Sequence, residues 1–408
     1  MKIKHNKALT KIQAIIIIIA IMCVLLFIGI YYYFLRPPVI AKEIIIGSPL
    51  ALTGKFAKDG KFYKDGWELA VEEINEKGGI LGAKIKLIVE DDRSDPAYSA
   101  TVMEKLINEY KIVATLGAFP TACTEPTSAI AEKYKIPYVG SGSATWSLYE
   151  RGFKYYFQIF PPTPRYIPPI ISLYKSLSPK PENIAITYEL TAWGEELKNT
   201  LLKEAEKEGF KVIFCEGYTA GTADFTPLLL KIKALNPDAY VDIGHTTDEI
   251  LLCRQSAEIG FNPKIWHGML TATIDFQQSL GNLAENILGT PAWHETAKFP
   301  GNEEFVKKYK EKYKTEQVDY HAALAYASVY VLAEAIKIAG EIDPEKIRDA
   351  LTKVDIMTIV GRVKFDEKGC NIYSQLLITQ IQGGKIIVVW PKEAAAANII
   401  YPKPPFKG

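Results

Sequence analysis

Two short runs of small and hydroxyl residues have the composition of a site for a negatively charged group. The run Thr121–Thr124 follows the strand-like segment Val113–Leu116, and the run Ser141–Thr145 follows the next such segment, Tyr138–Val139. Hydroxyl groups and the free backbone amides at the start of a helix bind anions such as a carboxylate. Either run alone equally fits an ordinary helix cap, but two runs at neighbouring strand ends favour binding. The candidate contacts are Thr121, Ala122, Ser143, Ala144 and Thr145.

Motifs for catalysis and for metal binding do not match this sequence. Gly54–Phe62 resembles a phosphate-binding loop, but it has one residue too many between its glycines and Phe62 replaces the metal-binding hydroxyl. Gly140–Ala144 lacks the last glycine of a hydrolase nucleophile elbow. The histidines after the apolar N-terminal run have no ligand spacing, and Asp91–Asp92 reads as a pair that caps the next loop. We therefore expect no enzyme activity, no catalytic residue, no metal and no cofactor.

Strand-like and helical segments alternate along most of the chain, which predicts parallel sheets with helices on both faces. One group of strands ends near Phe160, and a second runs from about Tyr166 to Gly289, with the prolines of 161–164 between them. A helix-rich stretch, Glu303–Thr352, follows, and Asn398–Gly408 has the composition of an extended surface tail. The chain therefore carries two α/β domains, as its 408 residues allow.

The N-terminal segment is long and apolar enough to cross a membrane. Ala14–Leu35 contains no charged residue, whereas crossing the hydrocarbon core takes about 20 apolar residues in a helix. Lys2, Lys4, Lys7 and Lys11 precede it, and they predict a cytoplasmic N-terminus over residues 1–11. We expect a single-pass anchor in the cytoplasmic membrane over 12–36, with the rest on the outer face. A cleaved signal peptide is the alternative.

Composition limits the partners and leaves the disulfides open. The net charge is +1, and the lysines before the apolar run are the one basic cluster, which argues against nucleic acid as a partner. Four cysteines follow the apolar run, and three pairings among them are possible. These cysteines are Cys123, Cys215, Cys253 and Cys370.

Several short stretches between Ile44 and Trp390 match one known family in their order and spacing. They are Leu50–Gly54, Ala70–Asn75, Gly78–Gly82, Glu90–Asp92, Asp95–Pro96, Ala220–Thr222, Asp224–Phe225, Pro237–Ala239, Arg254–Gln255 before Gly260, Gly361–Val363, Phe365–Asp366 and Gly369. With these stretches, the chain resembles the leucine/isoleucine/valine-binding protein family, the type I periplasmic binding proteins of ABC importers.

The resemblance implies a fold with a bound ligand at its centre. The fold class is α/β, a periplasmic binding protein of type I, with two doubly wound parallel-sheet lobes joined by a hinge of three crossings. The first lobe would take residues 43–161 and 292–366, and the second 162–291 and 367–391. Residues 392–408 would form a Pro-rich tail.

The resemblance also implies an extracytoplasmic solute-binding protein of an ABC-type importer. It would capture a branched-chain or other neutral amino acid by lobe closure and serve a membrane permease with its ATPase. Two alternatives stay open. The ligand could be a carboxylate or amide that lacks the ammonium group, or the chain could be a ligand-sensing ectodomain that signals through a partner.

By position, the two hydroxyl runs would hold the ligand carboxylate, while the other contacts depart from the family. Trp193 stands where an aromatic residue closes over the ligand, and His245 stands where a tyrosine is usual. Asp59 and His321 replace aromatic residues. Met269 falls, within one residue, where an acid usually pairs with the ligand ammonium, and a desolvated ammonium without an anion costs on the order of several kcal/mol. The acids that could replace it are Asp59, Asp242, Asp248 and Asp275.

Overall fold

A computed structural model describes residues 6–34 and 43–406. The chain divides into two compact units, residues 1–42 and 43–408. The first contains helix α1, Asn6–Phe34, whose apolar side chains from Ile15 to Ile28 are exposed. Its apolar stretch among the described residues is Ile15–Gly29, shorter than the predicted span of 12–36, and the membrane anchor stays a prediction. Lys2, Lys4 and the predicted helix end at Arg36 lie outside the described residues.

The second unit begins with a parallel sheet of five strands. Its strand order is β2-β1-β3-β4-β5, and every neighbouring pair is parallel. Its strands and their connecting helices are β1 Glu43–Leu50, α2 Ala57–Glu76, β2 Lys84–Asp91, α3 Pro96–Asn108, β3 Ala114–Thr115, α4 Thr121–Tyr134, β4 Tyr138–Gly140 and β5 Tyr156–Gln158.

A second sheet starts after the proline-rich connection. The strand–helix alternation continues, and β6 to β9 pair in parallel. The elements are α5 Pro168–Ser176, β6 Asn183–Glu189, α6 Ala192–Lys207, β7 Lys211–Tyr218, α7 Thr226–Leu235, β8 Ala239–Ile243, α8 Thr246–Glu258, β9 Ile265–Gly268, α9 Ile274–Leu280 and β10 Leu288–Gly289.

The remaining elements return to both sheets. The second sheet has the order β14-β13-β10-β9-β8-β6-β7, while β11 and β12 form a separate hairpin. β13 is antiparallel to both β10 and β14, which the strand–helix alternation did not predict. The glycines Gly383 and Gly384, with φ of +57° and +67°, form the tight turn that joins β13 to β14. The elements are α10 Asn302–Tyr313, α11 Tyr320–Ala339, α12 Pro344–Leu351, β11 Asp355–Thr358, β12 Gly361–Lys364, β13 Ile378–Gln382 and β14 Lys385–Trp390.

Local sequence signals explain the start of helix α3 and the burial of helix α11. The Asp95 carboxylate accepts a hydrogen bond from the Tyr98 amide at 2.7 Å and so caps α3, as the Asp-Pro pair predicts. Helix α11 is apolar on most of its surface and packs on α2. Among the described residues, α11 is long and apolar enough to span a membrane, but it is mostly buried, so it is a core helix.

Each sheet is covered on both faces, as in a doubly wound fold. We call the half built on β1–β5 the first lobe and the half built on β6–β10 with β13 and β14 the second lobe. Separate apolar clusters cover the two faces of each sheet. The chain passes between the lobes three times, after β5, after β10 and after β12. Tyr166 and Ala292, in the first two passages, pack against the cores of both lobes. The exact lobe boundaries stay a prediction.

The cysteines after residue 42 are free thiols. Cys123, Cys253 and Cys370 are buried, and Cys215 is exposed. Burial raises the pKa of the Cys123 thiol to about 12, so this group stays protonated at neutral pH. Buried protonated thiols of this kind are packing groups.

Candidate ligand-binding site

The first hydroxyl run forms the beginning of helix α4 in the first lobe. Thr121 is the first residue of α4 and is half-buried, and Ala122 follows as an exposed residue. The amides of Cys123 and Thr124 bind the Pro120 carbonyl at 2.9 and 3.0 Å. The amides of Thr121 and Ala122 precede these and have no acceptor within a helix. Together with the partial positive charge of a helix start, they can bind an anion.

Hydrogen bonds join the second run to the first. The Ser143 hydroxyl donates to the Thr124 hydroxyl at 2.7 Å, and Thr124 donates in turn to the Ala118 carbonyl at 2.8 Å. Ser143 is buried, so its hydroxyl links the two runs instead of lying open to solvent. Thr145 is half-buried and precedes the short 3-10 helix Trp146–Tyr149. Ser143 therefore fixes the loop, and Thr145 places its hydroxyl at the half-buried end of the second run.

Aromatic rings support the second run from within the first lobe. The Tyr63 hydroxyl donates to the Ser141 carbonyl at 3.3 Å. Burial, more than any neighbouring charge, raises the pKa of Tyr63 well above its ordinary value, so the hydroxyl keeps its proton. A side chain on Gly142 would place its Cβ 2.0 Å from the Tyr63 oxygen, which explains the glycine. The ring of Tyr63 in turn packs against Phe119, with centroids 5.2 Å apart.

His321 belongs to this aromatic support, and Asp59 lies near it. The His321 ring is 5.2 Å from the ring of Tyr63 and 3.9 Å from that of Tyr320, and its Nδ1 lies 2.7 Å from the Asp319 carboxylate. The His321 side chain is only 6% exposed, so it supports the candidate site from the interior of the first lobe. Asp59 is half-buried in the first turn of α2, and its charge contributes to the raised pKa values of Tyr63 and Tyr320.

The second run reaches the boundary between the lobes. The Ala144 carbonyl accepts hydrogen bonds from the Thr163 amide at 2.8 Å and from the Thr163 hydroxyl at 2.9 Å. Thr163 lies in the first passage between the lobes and is buried. A ligand bound at Thr145 would therefore lie where the two lobes meet.

In the second lobe, Trp193 and His245 lie side by side. Trp193 is in the first turn of α6, which Thr191 caps by accepting a hydrogen bond from the Gly194 amide at 3.1 Å. His245 immediately precedes α8. The two rings have centroids 5.4 Å apart and an interplanar angle of 48°. The structure thus brings together these two predicted contacts at the ends of β6 and β8.

Glu189 is a candidate site residue that sequence reasoning missed. It ends strand β6, is 5% exposed, and its Oε2 lies 2.5 Å from His245 Nδ1. The sequence carries one signal for it, a charged residue at the end of the buried apolar run Ile184–Thr187. A carboxylate with so little exposure requires a partner, and His245 provides it.

Met269 does not have the open position expected of a ligand contact. It is 1% exposed and packs in the core of the second lobe, and its amide donates to the Asp242 carbonyl at 3.1 Å. The thioether side chain is more stable in the apolar core than in a solvent-filled gap. Leu270, the next residue, is half-buried.

Of the other second-lobe acids considered from the sequence, Asp242 and Asp248 are buried and Asp275 is exposed. Asp242 is fully buried and accepts hydrogen bonds from Thr187 and Tyr218 at 2.5 and 3.1 Å, while burial raises its pKa to about 7. Asp248 is buried and binds the Gly221 amide with both oxygens at 3.1 Å. Asp275 is exposed in the first turn of α9.

Glu249 is a further buried acid behind the same edge of the second sheet. Both of its oxygens accept from the Leu270 amide at 3.1 Å, and burial raises its pKa well above the ordinary value. Asp91 and Asp92, in the first lobe, serve as predicted: they bind backbone amides of the turns around them. Within residues 6–34 and 43–406, no group of three or more His, Cys, Asp and Glu side chains could hold a metal ion.

An open cavity of about 710 Å³ lies between the lobes. Its first-lobe wall includes Lys58 and Tyr320, which are sequence neighbours of Asp59 and His321, and its second-lobe wall includes Thr273 and Ile274. None of the ten predicted contacts is among its described lining residues. The cavity therefore adjoins the predicted site at the side of Asp59 and Tyr320.

Residues 43–385, most of the chain, match the family described as periplasmic binding protein. The chain belongs to the periplasmic binding protein family. The type I fold and the family resemblance derived from the sequence are thereby confirmed. The Leu/Ile/Val-binding protein homolog 7 of Brucella suis is 28% identical over 383 residues, which cover 89% of this chain and 95% of that protein.

Solved structures of binding proteins share the fold. The branched-chain amino acid transporter substrate-binding protein LivJ of Streptococcus pneumoniae, in complex with isoleucine, has a TM-score of 0.66 and 26% identity, with 88% of this chain and all of that chain covered. A solute-binding protein from Rhodopseudomonas palustris in complex with 3,4-dihydroxybenzoic acid has a TM-score of 0.67 and 19% identity, with 85% and 95% covered. The prediction of a binding protein, not an enzyme, agrees with these relatives.

Proposed function

We propose that this periplasmic binding protein captures a branched-chain or other neutral amino acid outside the cytoplasm and delivers it to an ABC importer. The ligand carboxylate binds the two hydroxyl runs of the first lobe. Thr121 and Ala122 supply helix-start amides, and Thr145 supplies a hydroxyl and an amide. Ser143 and Ala144 hold this arrangement in place.

One observation carries the proposal: the two runs are joined to each other and to the passage between the lobes. The Ser143–Thr124 hydrogen bond of 2.7 Å fixes the first contact, and the pair of hydrogen bonds from Thr163 to the Ala144 carbonyl fixes the second. Donors that are already oriented bind an anion without a further loss of side-chain entropy. Half-buried positions also strengthen these hydrogen bonds, because less water competes for them.

Binding closes the lobes. A ligand held by the first lobe offers its far end to Trp193 and His245 of the second lobe, at the ends of β6 and β8. The closed form gains these contacts and the open form does not, so the ligand shifts the population towards closure. The lobe boundaries at residues 161, 291 and 366 remain part of this proposal.

The N-terminal helix anchors the binding protein beside its permease and ATPase. The apolar stretch Ile15–Gly29 lies in the 29-residue helix α1, and the exposed side chains around this helix are suited to lipid. Tethering raises the effective concentration of the binding unit at the importer.

Calorimetric titration of the full chain in detergent with leucine, isoleucine, valine and alanine tests the proposal. We expect saturable binding of at least one amino acid, and mass spectrometry should recover that amino acid unchanged. Thr145→Ala should weaken binding about tenfold, since it removes a hydrogen bond to a charged group worth roughly 1.5–3 kcal/mol.

The matched control is Thr101→Ala, which removes an exposed hydroxyl on helix α3 that bonds to the Ala97 carbonyl. This variant should bind like the wild type. If no amino acid binds, or if Thr145→Ala and Thr101→Ala lose the same affinity, the proposed function is contradicted. Conversion of the added amino acid would point to an enzyme instead.

A carboxylate or amide without the ammonium group is the second candidate ligand. It is favoured by the apolar Met269 and Leu270, where the resemblance leads one to expect an acid. The fold accommodates such ligands, since the Rhodopseudomonas palustris protein was solved with a dihydroxybenzoic acid. Titration with 4-methylpentanoate, which is leucine without its amino group, separates the two classes.

A further inference from the structure

We infer that Glu189, acting together with His245, binds the cationic end of the ligand, so that the ligand of this protein is an amino acid and not a carboxylate without an amine. This inference rests on the proposed function, because it needs a ligand between the lobes. It assigns the missing acid to the end of strand β6, not to the stretch after β9 where Met269 and Leu270 stand.

The position of Glu189 carries the first step of the argument. β6 and β8 are neighbours in the second sheet, and Tyr188 pairs with Ile243. Glu189 and His245 therefore leave the same edge of the sheet, and their side chains meet at 2.5 Å. The side chain of His245 is 60% exposed while that of Glu189 is 6% exposed. The imidazole lies between the carboxylate and the open side of the site.

Hydrogen-bond chemistry decides what this pair offers to a ligand. A neutral imidazole that donates from Nδ1 to a carboxylate has Nε2 as an acceptor. In that tautomer the Glu189 carboxylate accepts from Nδ1 while Nε2 directs a lone pair outward, which suits an ammonium group. Trp193, packed against the His245 ring, adds an aromatic face that attracts cations. An anion would meet repulsion at the same place.

The neighbouring acids cannot take this role. Asp242 and Glu249 are fully buried, and Asp248 is buried with both oxygens bound to the Gly221 amide. Burial also raises the pKa values of Asp242 and Glu249, which favours their neutral forms. Glu189 is the acid at this edge whose partner, His245, is itself exposed.

Asp59 is a competitor in the first lobe. It is half-buried and near Tyr63 and Tyr320, on the side of the site where the open cavity lies. However, it shares its lobe with the hydroxyl runs that receive the carboxylate. A cation held there would not bridge the lobes, whereas a cation held by Glu189 couples ligand binding to closure.

Titration of the unaltered full chain in detergent gives the first test and needs no variant. We expect leucine to bind at least about 100-fold more tightly than 4-methylpentanoate, because the pair and the ligand cation are both desolvated on closure. Equal or tighter binding of 4-methylpentanoate would overturn the inference and leave the proposed binding function intact. Binding of neither compound, nor of any other amino acid, would overturn the proposed function and the inference with it.

Charge removal gives the second test. Glu189→Gln keeps the side-chain volume and an acceptor for His245, and it should weaken leucine binding at least about tenfold while changing 4-methylpentanoate binding less than about twofold. The matched control Glu195→Gln alters an acid on the first turn of α6 that pairs with Lys198, and it should leave both affinities unchanged.

The variants also separate the two acids. If Asp59→Asn lowers leucine affinity selectively and Glu189→Gln does not, the inference is overturned in favour of Asp59. An equal loss for both compounds in Glu189→Gln overturns it too, since that result means a general change in the site. Thermal unfolding of each variant is measured beside the titrations. If a variant does not fold, the comparison of leucine with 4-methylpentanoate on the unaltered chain decides the inference.

Discussion

Replacing Gly142 by alanine tests whether the loop that carries Thr145 is held as tightly as the structure indicates. The new Cβ would lie 2.0 Å from the Tyr63 oxygen, 2.8 Å from Tyr63 Cζ and 3.0 Å from Phe119 Cδ2, where ordinary contact begins at 3.4 Å. Tyr63 is 2% exposed and packed against three other rings, so the ring cannot easily move away. The loop must therefore shift.

The cost follows from overpacking of a close-packed region. Such insertions destabilise proteins by roughly 1–3 kcal/mol, which we expect for the free energy of unfolding of Gly142→Ala in urea. The displaced Thr145 should also weaken amino-acid binding by about tenfold or more in calorimetry, since each 1.4 kcal/mol changes affinity about tenfold.

A second variant identifies the cause of the clash. Tyr63→Phe removes the closest atom but leaves Cζ at 2.8 Å, so the double variant with Gly142→Ala should recover part of the loss. We expect a favourable coupling energy of roughly 0.5–3 kcal/mol between the two positions. If Gly142→Ala keeps full stability and affinity, or if the two changes are simply additive, the Tyr63 contact does not hold the loop.

Three further predictions concern stability and the anchor. Burial lowers the pKa of His267 to about 3, below its value in the unfolded chain. The unfolded chain therefore binds more protons, and the free energy of unfolding falls as the pH drops from about 6.5 towards 3. Between pH 6.5 and 4.5 the wild type should lose about 2–3 kcal/mol more unfolding free energy than His267→Gln, and an equal loss in urea titrations would contradict this. Asp95→Ala removes the cap of α3 and should cost about 1 kcal/mol of unfolding free energy, whereas no change would show that the cap contributes nothing. Residues 43–408 expressed alone should unfold cooperatively without detergent and bind the same amino acid as the full chain; persistent aggregation would mean that the N-terminal helix is part of the fold.

Periodicity and composition predicted the parts of the fold that depend on local pattern. The alternation of strands and helices and the Asp95 cap both follow from residue types at short spacing. The antiparallel strands β13 and β14 were not predicted, because their place depends on the chain returning from the first lobe to the far edge of the second sheet. No local signal encodes that return.

The sequence suggested site residues where several neighbours share a chemical character, and it did not suggest Glu189, a single residue whose proposed role depends on a distant partner. Thr121 and Thr145 belong to runs of small hydroxyl residues that are recognisable in sequence. Glu189 is a lone acid at the end of a strand, and its partner His245 is 56 residues away. Met269 was suggested by its position relative to the family pattern. That position gave no information about the direction of the side chain, which is buried in the core of the second lobe.

The central claim is that the ligand carboxylate binds the joined hydroxyl runs at the tips of β3 and β4. A crystal structure of residues 43–408 grown with leucine measures this directly. We predict carboxylate oxygens within about 3.2 Å of hydroxyl or amide groups of Thr121 and Thr145, with the amino group turned towards the second lobe. Leucine bound elsewhere, or with its carboxylate directed at His245, would contradict the account.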